Sequence, residues 1–164
     1  MSCHLLIIGG QGDLALRKLY PSLYRLWRQG CLAEDMKILA TARMPMTQGE
    51  FLALVREWMQ GRVGDNEPSA EQWSEFSAKL HYSAQDATSA EGLATIREEH
   101  LSEPGTELVV YLATPPQIFA PICQAMAEAG LTGEGTRIVV EKPLGDDLES
   151  FRAINDDLTR IFEE

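Results

Sequence analysis

Seven consecutive residues carry the densest chemical signal in the chain. Gly9-Gly10-Gln11-Gly12-Asp13-Leu14-Ala15 follows directly on the apolar run Leu5-Leu6-Ile7-Ile8 and precedes a helical pattern. A glycine-rich turn between a strand and a helix lets the chain reverse tightly, lets the backbone approach a pyrophosphate, and lets the helix lie close to the sheet. Gly10-x-Gly12-x-x-Ala15 fits the dinucleotide fingerprint, and Gly9-x-x-Gly12-x-x-Ala15 fits a variant shifted by one residue. Both registers make the same physical demand. In either, unpaired N–H groups at the helix start, with the helix dipole behind them, would hold phosphate oxygens. A plain tight turn is the alternative that needs no ligand. Asp13 suits the positive end of the helix dipole, which is a different task from acid catalysis.

The end of the second predicted strand separates two cofactors. Readers of NAD place an acid there for the ribose 2′-hydroxyl, and readers of NADP place an arginine. Here the strand runs out as Ala40-Thr41-Ala42-Arg43, with no acid until Glu50. Arg43 could therefore pair with a 2′-phosphate in a two-pronged contact. The alternative is a solvated surface arginine. At the carboxyl ends of the fourth and fifth strands, Thr114-Pro115-Pro116 offers a rigid wall and Glu141-Lys142-Pro143 an ammonium beside a kink. Ligands of open α/β sheets sit at such ends. Lys142 could hold a substrate phosphate or hydroxyl there. His4, His81 and His100 have no metal-ligand spacing, and no nucleophile elbow or P-loop is present. A solvated face explains the acids Asp146, Asp147, Asp156 and Asp157.

Five β-rich runs must position these residues: Leu5–Ile8, Lys37–Thr41, Leu80–Ser83, Leu108–Leu112 and Arg137–Val140. Helical patterns alternate with them. Leu14, Leu19, Leu23 and Leu26 mark the first helix, which ends at Gly30 and should kink or break near Tyr20 because of Pro21. Gln48–Gln60, Glu71–Phe76 and Gln117–Ala129 read as further helices, with a surface loop over 61–70. Asp146, with Glu149 three residues on, reads as a cap opening a last helix. Strands interleaved with helices predict an α/β fold, a Rossmann-like doubly wound parallel sheet with helices on both faces, as one domain over 1–164.

Composition narrows the partners. The chain has 164 residues, 14 Lys plus Arg against 25 Asp plus Glu, and a net charge of −11. That balance argues against a nucleic-acid backbone and against an anionic membrane surface. No run approaches the ~20 apolar residues that span a bilayer. The amino terminus lacks the basic and cleavage segments of a signal peptide. Three widely spaced cysteines fit reduced thiols in a cytoplasmic protein.

Taken together, the stretches IIGGQGDLALRKLYPSLYRL, ILATAR, LHYSAQDAT, YLATPPQIF and VVEKPLGDDLESFRAIN resemble the amino-terminal NADP-binding domain of the glucose-6-phosphate dehydrogenase family. The resemblance implies a pyrophosphate turn at Gly9, Gly12, Asp13, Leu14 and Ala15. It implies 2′-phosphate recognition at Arg43 and cofactor contacts near Asp86, Tyr111 and the Thr114-Pro115-Pro116 turn. Glu141 would lie near the nicotinamide, Lys142 would touch both cofactor and sugar phosphate, and Pro143 would be a cis proline. Where the family has Ala-Ser between its first two glycines, this chain has Gly10-Gln11. The lost Ser hydroxyl was a potential phosphate donor, the Gln11 amide is its replacement, and NAD becomes the alternative to NADP. The implied substrate of the full enzyme is glucose 6-phosphate. The family's catalytic His–Asp pair and its Arg-Ile-Asp-His-Tyr-Leu-Gly-Lys segment have no match in these 164 residues. The expectation is a chain with no catalytic residue of its own that binds NADP without useful turnover and self-associates through surface left uncovered. Two alternatives stand beside it: a Gfo/Idh/MocA-like sugar oxidoreductase, which shares the Thr-Pro-Pro and Glu-Lys-Pro turns, and a non-catalytic dinucleotide-binding module.

Overall fold

The computed structural model describes residues 3–64, 67–101 and 105–141, with 152 and 156. Five parallel strands form one sheet in the order β3-β2-β1-β4-β5: β1 Cys3–Ile8, β2 Ile38–Ala42, β3 Leu80–Ala84, β4 Glu107–Leu112 and β5 Thr136–Val140. The order reverses direction between β1 and β4, so a crevice opens at their carboxyl ends. Alternation along the strands splits the core in two. Leu6, Ile8, Leu39 and Val110 face one side, under α4 (Ala90–His100) and α5 (Phe119–Glu128). Leu5, Ile7, Ile38 and Ala40 face the other, under α1 (Tyr20–Arg28), α2 (Gln48–Met59) and α3 (Ala70–Ser77). Both faces of the sheet are thus covered, as the sequence pattern requires.

Pro21 acts where the sequence places it, by an unexpected device. Residues Ala15–Leu19 widen into one π turn, in which the Tyr20 N–H reaches back to Ala15 O. Pro21 then occupies the first turn of α1, where its missing N–H costs nothing. Gly30 closes that helix at φ +69°, with Cys31 N bonded to Leu26 O at 2.9 Å. Helix α2 opens on a reciprocal cap between Thr47 and Glu50, and α3 on one between Ser69 and Gln72.

Helix α4 has no counterpart in the sequence reading. Its buried stripe is only Gly92, Leu93 and Ile96, and Arg97-Glu98-Glu99 follows. So short a stripe carries little periodic signal. The cap expected at Asp146 with Glu149, together with Lys142 and Pro143, lies outside the described residues.

The histidines sit far from the crevice, on β1, on β3 and at the end of α4. His4 is buried, and its Nδ1 accepts the Lys37 N–H at 3.2 Å. The His81 and His100 rings lie 5.9 Å apart. Burial depresses both of their pKa values from the ordinary 6.5; at His81 the neighbouring His100, Lys37 and His4 add to it, and at His100 Lys37 adds while Glu99 opposes. The fold therefore favours neutral imidazoles. Their contribution to stability is complete above the ordinary histidine pKa and is lost as the pH falls below it. Thermal melting from pH 7.5 down to pH 5 should show a falling midpoint, eased by His81→Gln. A flat midpoint would contradict this coupling.

Candidate functional site

The crevice is built on three glycines, each needed for a different contact. Gly9 turns the chain at φ +86°, and a Cβ there would stand 2.6 Å from Ala113 O and 2.9 Å from Thr114 Cγ2. A Cβ on Gly10 would meet Ala40 Cβ at 2.5 Å, and one on Gly12 would meet Gly9 O at 3.1 Å. The first of the two candidate registers thus needs its glycines for packing, and the second needs Gly9 for the turn itself. Ala15 is fully buried, so a larger side chain would lift the helix from the sheet. Leu14 is half-buried beside it. The exposed Asp13 pairs with Arg17 at 3.3 Å one turn on, a contact worth at most ~0.5 kcal/mol.

A cavity of about 270 Å³ opens beside this turn, lined among others by Gly9, Thr41, Arg43, Asp86, Thr114 and Ile122. Ile8, Ile118 and Ile122 make one wall apolar, and Pro115 stands at the rim. Arg43 is exposed, and among the described residues it makes no hydrogen bond or ion pair. The Asp86 carboxylate accepts from the Thr88 hydroxyl at 2.7 Å and from its N–H at 2.9 Å. Those bonds, with a smaller pull from Arg43, hold its pKa below the ordinary carboxylate value. Thr114 Oγ1 is buried and finds no partner among the described residues. A buried hydroxyl without a partner costs ~1–3 kcal/mol, and a bound polar group would relieve it.

Tyr111 and Glu141 meet away from this cavity, at the carboxyl ends of β4 and β5. The Tyr111 hydroxyl donates to Glu141 Oε1 at 2.5 Å. Burial, then that bond and the carboxylate's charge, push the phenol pKa well above its usual value. Tyr111 packs on the α1–α3 side of the sheet, whereas the cavity wall belongs to the α4–α5 side. The two groups therefore bracket the glycine turn from opposite faces.

Four residues that the sequence reading did not single out hold the site together. Thr41 O accepts from both Gly9 N (2.9 Å) and Gly10 N (3.1 Å), while Thr41 Oγ1 donates to Ser83 O at 2.9 Å. Buried Tyr20 donates to Gly10 O at 2.7 Å, and burial raises its pKa. Tyr82 joins Gln11 to the loop after β2, with Gln11 Nε2 at 2.6 Å from Tyr82 Oη. Gly92 allows Asp86 O to approach α4, since a Cβ there would lie 2.7 Å away. Gln11 thus spends its amide on protein atoms in this structure. None of these contacts leaves a local sequence signal, except that a glycine inside a helix hints at a close neighbour.

The description "Glucose-6-phosphate dehydrogenase, NAD binding domain" fits residues 6–164 at the level of a whole family model. The chain belongs to this family. It is 34% identical over 164 residues to a glucose-6-phosphate 1-dehydrogenase of Dickeya dadantii, covering 99% of this chain and 33% of the relative. The corresponding enzyme of Mycolicibacterium smegmatis is 34% identical over 166 residues, with 99% and 34% covered. Among solved structures, glucose-6-phosphate 1-dehydrogenase from Mycobacterium avium superposes with a TM-score of 0.88 at 31% identity, over 99% of this chain and 34% of that one. A glucose-6-phosphate dehydrogenase solved with its substrate glucose 6-phosphate gives 0.82 at 30% identity. The chain spans about one third of the length of the relatives it matches. Among the described residues, no helix is long and apolar enough to cross a membrane.

Proposed function

We propose that this chain, as one domain over 1–164, is the cofactor-binding part of a cytoplasmic glucose-6-phosphate dehydrogenase, which oxidises glucose 6-phosphate to 6-phosphogluconolactone with NADP⁺. One observation carries the choice of cofactor: just past the end of β2, at the cavity beside Gly9, Arg43 makes no hydrogen bond or ion pair among the described residues, where a reader of NAD would have an acid. The residues present fit a dinucleotide, since the three glycines leave the space and Thr114 Oγ1 has no partner among the described residues. The Gly10-Gln11 departure leaves NAD⁺ as the second cofactor to be tested.

In this reading the turn from Gly9 to Ala15 brings backbone N–H groups against the pyrophosphate, and Arg43 grips the 2′-phosphate with two parallel N–H donors. Asp86, whose carboxylate is kept ionised by its bonds to Thr88, would contact the cofactor from the cavity lining. Thr114 and Pro115 form the wall that orients the ribose. Tyr111 would hold the Glu141 carboxylate near the nicotinamide, and Lys142, which lies outside the described residues, would by the family resemblance contact cofactor and sugar phosphate alike. When bound, NADP⁺ supplies the hydride acceptor. A general base must take the hydroxyl proton from C1 as hydride leaves, and such a base typically contributes ~10²–10⁴-fold. His4, His81 and His100 are all remote from the cleft, so this chain's own residues bind and orient, and the isolated 164 residues turn over slowly if at all.

The test is reduction of NADP⁺ by the protein purified from its natural source. NADPH should form with glucose 6-phosphate and not with unphosphorylated glucose at the same concentration. Tight dinucleotide binding without any sugar-dependent reduction would favour the non-catalytic module instead.

A further inference from the structure

We propose that Gln11 and Tyr82 set the cofactor preference by tying the Arg43-bearing loop to the glycine turn, an inference that rests on the NADP reading above. Arg43, Met44 and Pro45 are exposed, Met44 by 62%, and the loop's apolar contact with the core comes from Met46 at its far end, beside α2, which leaves the Arg43 end to be held by polar contacts. Its side-chain tethers among the described residues come from two groups. Tyr82 Oη lies 2.6 Å from Met44 O and 3.2 Å from Ala42 O. Gln11 Nε2 donates to Tyr82 Oη at 2.6 Å and, more weakly, towards Met44 O at 3.4 Å.

The donor count is consistent. A phenol has one hydrogen and accepts on its lone pairs, so Tyr82 gives its proton to a loop carbonyl and accepts one from Gln11. The amide nitrogen has two hydrogens, one for each of its contacts. Tyr82 is itself a rigid post. Its ring stacks on Phe51 at 5.0 Å, and its N–H donates to Gln48 Oε1 at 2.9 Å. The tether therefore runs from the pyrophosphate turn, through a fixed aromatic, to the carbonyl next to Arg43.

Such a tether has a defined consequence for recognition. A guanidinium pre-placed over the ribose site binds a 2′-phosphate without first having to order its loop. NAD⁺ carries no phosphate there and makes no use of Arg43. Loosening the loop should therefore weaken NADP⁺ selectively. A side chain with a merely structural role would weaken both cofactors together or lower the melting temperature. Tyr82→Phe keeps the ring and its stacking while removing the hydroxyl, so it separates these effects.

Calorimetric titration of the chain, Gln11→Ala, Tyr82→Phe and the double variant with NADP⁺ and NAD⁺ tests this, with thermal melting alongside. Each single variant should lose roughly three- to tenfold in NADP⁺ affinity, the size of one hydrogen-bond contribution. NAD⁺ affinity should move less than about twofold, and the double variant should be little worse than the worse single, because both act through one chain of contacts. An unchanged NADP⁺/NAD⁺ ratio in Tyr82→Phe overturns the tether, and a loss confined to Gln11→Ala would mean that Gln11 meets the ligand directly. In either case a wild-type preference for NADP⁺ that Arg43→Ala abolishes leaves the cofactor reading standing. If the wild-type chain takes neither dinucleotide, both readings fall.

Discussion

Arg43→Ala should lower NADP⁺ affinity by about 10- to 100-fold and leave NAD⁺ affinity almost unchanged. The estimate comes from hydrogen bonds to a charged group, worth ~1.5–3 kcal/mol, at a partly exposed site where salt screens part of the attraction. Among the described residues no carboxylate pairs with Arg43 directly; Asp86 influences it only through space and is already bonded to Thr88. Arg43→Lys should recover part of the loss, since an ammonium keeps the charge but not the two-pronged geometry. Raising the salt from 50 to 500 mM should shrink the wild-type preference for the same reason. Equal losses for both cofactors in Arg43→Ala would mean that the arginine supports the fold or the pyrophosphate rather than the 2′-phosphate.

Gly9→Ala is the second large effect, and it reaches stability as well as binding. A non-glycine residue in the left-handed region costs ~1–2 kcal/mol. The new methyl would also press within 2.6 Å of the backbone oxygen of Ala113, just before the Thr-Pro-Pro wall, which cannot swing away as a flexible side chain would. Overpacking of this kind typically adds ~1–3 kcal/mol. A total of about 2–5 kcal/mol is a large share of the ~5–15 kcal/mol that a domain has, and should lower the melting midpoint by roughly 4–20 °C. Displacing the wall also narrows the cavity, so dinucleotide binding should fall below detection. Gly49→Ala is the matched control. Gly49 lies in α2 with open space where a Cβ would be, so alanine there should be neutral or stabilising by up to ~1 kcal/mol. A Gly9→Ala protein that melts and binds like wild type would remove the steric basis of the site.

What the sequence made legible follows from how local each demand is. The glycine turn was readable because the close approach of neighbouring chain segments leaves no alternative residue type. Gly9, Gly10 and Gly12 each meet a neighbour that a Cβ would strike. The sheet was readable for a similar reason, since β1, buried on both faces, needs a continuous apolar run. Arg43 stands out in the sequence by the acid missing beside it, and the structure places it, exposed, on the lining of the cavity. Helix α4 was not, because two apolar side chains and a glycine make too little periodicity. Thr41, Tyr20 and Tyr82 were not, because they act across 10 to 71 positions of sequence through contacts that only the folded chain creates. Gln11 was half-readable. Its departure from the family pattern stood out, but its partner, Tyr82, is 71 positions away.

The most direct test is a side-by-side calorimetric titration of the wild-type chain with NADP⁺ and NAD⁺ at one salt concentration. Saturable binding of one molecule per chain, with NADP⁺ clearly the tighter, is the predicted result. Equal or tighter binding of NAD⁺, or binding of neither, would contradict the account of this cleft as an NADP site.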